Sequence, residues 1–209
     1  MREKICFIVG AGEHYQNSFH LMENDMVIAA DAGYAFCKAK GIKPNVVIGD
    51  FDSLKEIPTG ENVIKLSPNK DETDTLAAIK VGLQAGYELF HIYGGMGGRT
   101  DHTIANIQCL AMLADRSCQG YMFGDGEIMT VIHDRSIAFS SDAKGYVSVF
   151  SLVPESRGVF EEGLKFPLKN YILNSENPMG VSNEFIGINS VITVENGTLL
   201  IVYTAYEKE

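Results

Sequence analysis

Five short apolar runs, KICFIVG, MVIAAD, NVVIGD, LFHIYGG and GYMFGD, recur through about the first 125 residues, with helix-like stretches between them. This alternation confines the chain to an α/β class, because strands that repeat with intervening helices form a mainly parallel sheet covered by those helices. Every run ends in Gly, Asp or both. In an open α/β sheet ligands bind beyond the carboxyl ends of the strands, so the residues that follow these runs are expected to converge on one crevice. Spacing makes two of the helices legible. After Asp74, the residues Leu76, Ile79 and Leu83 fall on one face and Gly86 marks a stop; after Asp101, Ile104, Ile107 and Ala111 define a second face.

From about residue 134 the pattern changes. SIAFSS, YVSVFSLV and VITVENGTLLIVYTA alternate apolar and polar residues without helical spacing, which predicts a small antiparallel β-sandwich or barrel. Asn196-Gly197, between two alternating runs, predicts a tight hairpin. The expected division is therefore an α/β domain over 1–133 and a smaller antiparallel β-sandwich domain over 134–209.

With 209 residues, 45% of them hydrophobic, the chain can bury a sizeable core. No apolar run reaches the roughly 18 residues that a membrane span needs, and MREKICFIVG reads as a polar tip leading into a strand, so a soluble, cytoplasmic protein is expected. Seventeen basic against 27 acidic residues leave a net charge of −10, which repels nucleic acid and anionic membrane. A polyanionic substrate remains compatible with this charge if a divalent metal accompanies it. Cys6, Cys37, Cys109 and Cys118 show no metal-ligand spacing and sit among apolar neighbours, as small buried side chains do.

Several motifs carry possible chemistry. Gly10-Ala11-Gly12 follows the first strand, but the third glycine of a dinucleotide fingerprint would fall at Tyr15, which leaves a tight turn or a phosphate or sugar contact. Asp31, in AADAGYA, is placed either to cap a helix or to act as a ligand. In GDFDS, Asp50 and Asp52 flank Phe51; in an extended segment both carboxylates point the same way and repel unless a cation lies between them. Magnesium suits such a pair, since it takes one or two carboxylates and completes its shell with water and phosphate oxygens; a solvated loop with Ser53 capping a turn is the other reading. PNKDETD places Lys70 ahead of Asp71, Glu72 and Asp74 at a helix start. The helix dipole accounts for one or two of these acids, and Asp74, one turn on from Asp71, is expected to face the same crevice. YGGMGGRTDH supplies Gly94, Gly95, Gly97 and Gly98, whose amides suit an anion, then Arg99 as a fixed cationic fork and Asp101 at the next helix start. It lacks the GK[ST] ending of a Walker A loop. His102 is read as a structural hydrogen-bonding residue.

Taken in order, ADAGYA, GIKPNVVIGDFDS, the KDETD element and GGMGGRTDH resemble the thiamine pyrophosphokinase family, and GLKFPLKN followed by VSNEF extends the resemblance over nearly the whole chain. The resemblance implies a homodimer that transfers the pyrophosphoryl group of ATP to the hydroxyl of thiamine, giving thiamine diphosphate and AMP with the help of magnesium. By position, it makes Asp50, Asp52 and Asp74 the metal and phosphate-handling carboxylates, with Asp31, Asp71 and Asp101 in the same acidic crevice. Lys70 and Arg99 would hold phosphates, Thr73, Gly97 and Gly98 would lie at the nucleotide, and Asp71 or Asp101 would accept the alcohol proton. Ser182 and Asn183 would hydrogen-bond the thiamine pyrimidine. Phe166 stands where many relatives carry a tryptophan, and stacks more weakly. The alternatives are a pyrophosphokinase acting on another alcohol such as a pterin, and a non-catalytic nucleotide or metal sensor.

Overall fold

A computed structural model of the chain describes residues 2–14, 20–51, 59–60, 62–67 and 71–205. It divides into two compact units, Met1–Cys109 with Gly120–Asp125, and Leu110–Gln119 with Gly126–Glu209.

The first unit contains β1 (Ile5–Val9), β2 (Met26–Ala30), β3 (Val46–Gly49), β4 (Val63–Lys65), β5 (Leu89–Tyr93) and β6 (Gln119–Phe123), in the spatial order β6-β5-β1-β2-β3-β4. The β5-β1, β1-β2, β2-β3 and β3-β4 pairs are parallel. All five residues of β1 are buried, which is why a strand covered on both faces reads as a continuous apolar run. Five of these strands are the five runs of the sequence. The sixth, β4, has three residues with Ile64 and Lys65 exposed, too short and too wet to show a period. From β1 the chain steps outward through β2, β3 and β4, then returns to β5 on the other side of β1. The strand order therefore reverses between β1 and β5, and a crevice opens at their carboxyl ends.

Helices α1 (Gly33–Ala39), α2 (Asp74–Gln84) and α3 (Thr100–Asp115) follow β2, β4 and β5. The expected face of α2 is right: Ile79 is buried and Leu76 and Leu83 are half-buried, while the chain turns at Gly86. The expected face of α3 is wrong. Ile104 is 56% exposed, and the buried stripe is Asn106, Cys109, Leu110, Leu113 and Ala114. The stripe was hidden because its first member is polar; Asn106 is buried through a bond from its Nδ2 to the Gly95 carbonyl (2.7 Å). All four cysteines are buried and free, and burial pushes the Cys6 thiol up to about 12 and those of Cys37 and Cys109 to about 11.

The second unit is an antiparallel sandwich. β7 (Glu127–His133), β9 (Tyr146–Ser151), β12 (Gly180–Glu184) and β14 (Thr198–Thr204) lie in the order β12-β9-β14-β7. The other layer is β11 (Leu168–Asn174), β10 (Glu155–Glu162), β13 (Ser190–Asn196) and β8 (Ser136–Phe139). Val147, Val149 and Ile201 of the first layer and Val159, Ile192 and Val194 of the second belong to one buried cluster. Asn196-Gly197 does not form the expected hairpin. β13 pairs with β8 and β10, whereas β14 pairs with β7 and β9, so Gly197 is a one-residue corner carrying the chain from one layer to the other. Its φ of +134° and the Ser156 atoms 2.6 to 2.8 Å from where a Cβ would stand make glycine the residue for this corner. No helix among the described residues is long and apolar enough to cross a membrane.

Candidate active site

The carboxyl ends of β1, β2 and β5 and the starts of α2 and α3 enclose a cavity of about 460 Å³, lined by Asp31, Thr73, Asp74, Gly97, Gly98 and Arg99 among others. Two loops form its base. The turn after β1 donates from Gly10 to the Tyr93 carbonyl (2.7 Å), from Gly12 to that of Gly94 (2.8 Å) and from Glu13 to that of Met96 (3.0 Å). A Cβ at Gly10 or Gly12 would stand 2.6 to 2.7 Å from the Gly94 oxygen, so these glycines let two backbones touch. The Gly10 and Gly12 amides are thereby spent on the neighbouring loop, which favours the tight-turn reading of this motif. His14 braces the same turn, bonding the Gly10 carbonyl (3.0 Å) and stacking on Phe36 at 3.8 Å.

Asp31 follows β2 with φ +47°, a left-handed conformation, and its amide donates to the Ile48 carbonyl (2.8 Å). It does not cap α1: the cap position is Ala32, with no side-chain bond. Gly33 lets the helix start close to β1, since a Cβ there would be 1.9 Å from the Val9 oxygen. Asp50 leaves the adjacent strand end, half-buried, and is not part of the cavity wall. Phe51 is buried with φ +62°, so the chain at GDFDS is not extended as the same-side argument for Asp50 and Asp52 requires. A bulky residue in this conformation is strained, and such strain gathers at functional sites. Asp52 and Ser53 lie outside the described residues, as does Lys70.

Thr73 caps α2, its Oγ1 accepting from the Leu76 amide (3.2 Å), and Asp74 occupies the first turn. Both line the cavity. Because α2 begins at Asp74, Asp71 is not one helical turn behind it; Asp71 is exposed and off the wall, and Glu72 is ion-paired with Lys80. Arg99 and Asp101 form an exposed pair, with Nη2 to Oδ2 at 2.6 Å and Nε to Oδ1 at 3.2 Å. Arg99 beside it, together with the His102 amide, holds the Asp101 carboxyl below the usual carboxylate range. Arg99 lines the cavity and Asp101 does not. His102, expected to be structural, lies on the wall, as does Asn106, which the sequence reading missed. The signal for Asn106 was a lone amide at helical spacing among apolar residues.

Of the residues expected at the second site, Phe166 and Asn183 line a cavity of about 260 Å³ within the sandwich unit. Ser182 is exposed, with φ +60° at a bulge in β12, and its amide donates to Ser148 Oγ (3.0 Å).

The model of the thiamin pyrophosphokinase catalytic domain matches residues 20–122, and that of the vitamin B1 binding domain of thiamin pyrophosphokinase matches residues 134–201. A thiamine pyrophosphokinase of Bacillus subtilis is 28% identical over 199 residues, covering 86% of this chain and 87% of that protein. Among solved structures, thiamin pyrophosphokinase from Geobacillus thermodenitrificans aligns at TM-score 0.83 and 24% identity over 98% of this chain and 99% of that one. The enzyme from Candida albicans aligns at TM-score 0.74 and 13% identity, over 97% and 90%. Fold, domain matches and the wall of the cavity agree, and the chain belongs to the thiamin pyrophosphokinase family.

Proposed function

We infer that this protein is a thiamine diphosphokinase that moves the pyrophosphoryl group of ATP to the hydroxyl oxygen of thiamine, giving thiamine diphosphate and AMP, and that ATP occupies the cavity beyond β1 and β5. The observation that carries the reading of the site is convergence: Asp31, the Thr73-Asp74 pair and Gly97 to Arg99 come from three separate loops and line one space. In the reaction the alcohol oxygen attacks the β-phosphorus, the bond from that phosphorus to the AMP oxygen breaks, and the alcohol proton passes to a base. Such a transfer needs positioning and charge stabilisation more than covalent help. Arg99 and the amides of the Gly94 to Gly98 loop are placed to take the polyphosphate charge, with Lys70 proposed beside them. Asp31, on the wall, is better placed to receive the proton than the exposed Asp71, or than Asp101, whose pairing with Arg99 makes it a weaker base.

Magnesium fits the donor set. Carboxylates of Asp31 and Asp74 and hydroxyls of Thr73 and Thr75 are hard oxygen ligands on the same wall, and Asp50 leaves the neighbouring strand end. Asp50 and Asp74, with Asp52, are proposed to hold the ion; when bound it neutralises polyphosphate charge. Among the described residues no three His, Cys, Asp or Glu side chains form a metal cluster, and this ion needs only one or two carboxylates once phosphate and water complete its shell.

The match of the vitamin B1 binding domain to residues 134–201 favours thiamine over a pterin as acceptor, and the full cationic and acidic set favours an enzyme over a sensor. A homodimer is proposed from the family resemblance; Met179, Val181, Ile186 and Ile188 are exposed large apolar side chains of the kind a partner covers. A cytoplasmic location is proposed on the same resemblance. Incubation with ATP, magnesium and thiamine is expected to release AMP in step with thiamine diphosphate. Release of ADP, or product formation that ignores thiamine, overturns the reading.

A further inference from the structure

Glu161 is a buried carboxylate of which the sandwich uses only one oxygen. It lies on β10, is 1% exposed and lines the 260 Å³ cavity together with Phe166, Leu168, Met179 and Asn183. Its Oε2 accepts a hydrogen bond from Asn183 Nδ2 (2.7 Å), whereas its Oε1 is buried without a partner among the described residues. An unsatisfied buried carboxylate oxygen destabilises the fold, and an apolar side chain of similar size is commonly the more stable choice. Burial also drives the Glu161 carboxyl upward, against the opposing pull of Asn183.

Asn183, by contrast, has nothing left to offer a ligand. Nδ2 donates to Glu161 and to the Phe166 carbonyl (2.8 Å), and Oδ1 accepts from the amides of Phe166 (3.0 Å) and Glu184 (2.9 Å). Two donors and two lone pairs are all used. The side chain clamps the Phe166 backbone from both sides, and Phe166, 58% exposed, lines the cavity. Lys165 Nζ lies 5.4 Å from the centroid of that ring and pairs with Glu184 (2.7 Å). With one cation already there, a neutral aromatic ring suits Phe166 better than a second cation.

We propose that Glu161 is a specificity-determining residue: Oε1 accepts a hydrogen bond from the exocyclic amino group of an aminopyrimidine stacked on Phe166, while Oε2 holds Asn183 and, through it, Phe166. The proposal rests on thiamine as the acceptor, the 4-amino group of its pyrimidine being the donor that Oε1 lacks. Asn183 then acts as a positioning residue.

The test compares AMP release by the wild type and by Glu161→Gln with two acceptors, thiamine and its 4-oxo analogue, in which a carbonyl replaces the amino group. In Glu161→Gln the amide oxygen stays with Asn183 and the amide nitrogen, a donor, takes the place of Oε1. The expected result is about a tenfold fall in kcat/KM for thiamine, carried mainly by KM, and a preference for thiamine over the 4-oxo analogue that collapses or inverts. Equal losses for both acceptors, or an unchanged preference, overturn the proposal while leaving thiamine phosphorylation by the wild type intact. A wild type inactive on thiamine removes both the reading and the proposal. Glu161→Leu keeps the test open if the Gln variant folds poorly: it is expected to lose the preference, and retention of the preference refutes the role.

Discussion

Asn106 ties the buried face of α3 to the glycine loop of the cavity, and removing that tie has a cost that follows from the structure. In Asn106→Ala the Gly95 carbonyl loses its 2.7 Å donor at a site only 4% exposed, and the truncated side chain leaves a small void. An unsatisfied buried acceptor costs about 1 to 3 kcal/mol, so with the void a loss of about 2 to 3 kcal/mol is expected. Asn106→Asp sharpens the test, because it is nearly isosteric but sets a carboxylate oxygen against the carbonyl. It should be less stable than Asn106→Ala at neutral pH. Protonation restores a donor, so the introduced carboxyl has its pKa raised on folding; its stabilising contribution is complete below the unfolded value and is lost as pH rises through the folded value. Urea unfolding followed by circular dichroism, at neutral and acid pH, gives the stabilities, and the KM for ATP reports on the loop. If Asn106→Ala stays within about 0.5 kcal/mol of wild type and binds ATP normally, the bond is not what positions this loop.

Further outcomes follow from other parts of the molecule. Asp74→Asn is expected to lower turnover about a hundredfold or more with the fold kept, since Thr73 still caps α2; circular dichroism with an AMP-release assay checks both halves. Gly197→Ala is expected to destabilise the sandwich by about 1 to 3 kcal/mol, because the new Cβ meets Ser156 at a φ that L residues avoid, and thermal unfolding measures it. Glu161 has its pKa raised above 4.5, so it stabilises the fold fully only below that value and loses this contribution as pH rises through the folded pKa. Glu161→Leu should therefore gain in melting temperature relative to wild type as pH rises from about 4 to neutral, and a gap that does not move with pH would contradict a strained buried carboxyl.

Legibility differed from element to element for physical reasons. Strands buried on both faces announce themselves as apolar runs, and α2 announces itself through Asp74 and Gly86 as well as its spacing. The α3 face was misread because a buried polar residue is invisible to an apolar count. Asn196-Gly197 has hairpin chemistry but turns a corner between layers, since local backbone preference carries no information about which strand will be the hydrogen-bonding partner. At the candidate site, Asp31, Asp74 and the loop to Arg99 were expected from residue type and spacing, and Thr73 from the family resemblance alone. His102 and Asn106 were not: His102 closes YGGMGGRTDH but was read as structural, and Asn106 belongs to no motif.

What the amino-acid order determined by itself was the class of the fold and the kinds of group available for chemistry: period, turn residues and charge are local properties, and they survive without knowledge of distant neighbours. What only the tertiary structure decided was which of those groups share a space. The reversal of strand order between β1 and β5 places Asp31, Asp74 and Arg99 on one wall while leaving Asp71 and Asp101 exposed. In the sandwich, a bond between residues 22 positions apart uses a donor of Asn183 and leaves Glu161 Oε1 without a partner among the described residues. Convergence and saturation depend on contacts between residues far apart along the chain, and those contacts exist only once it has folded.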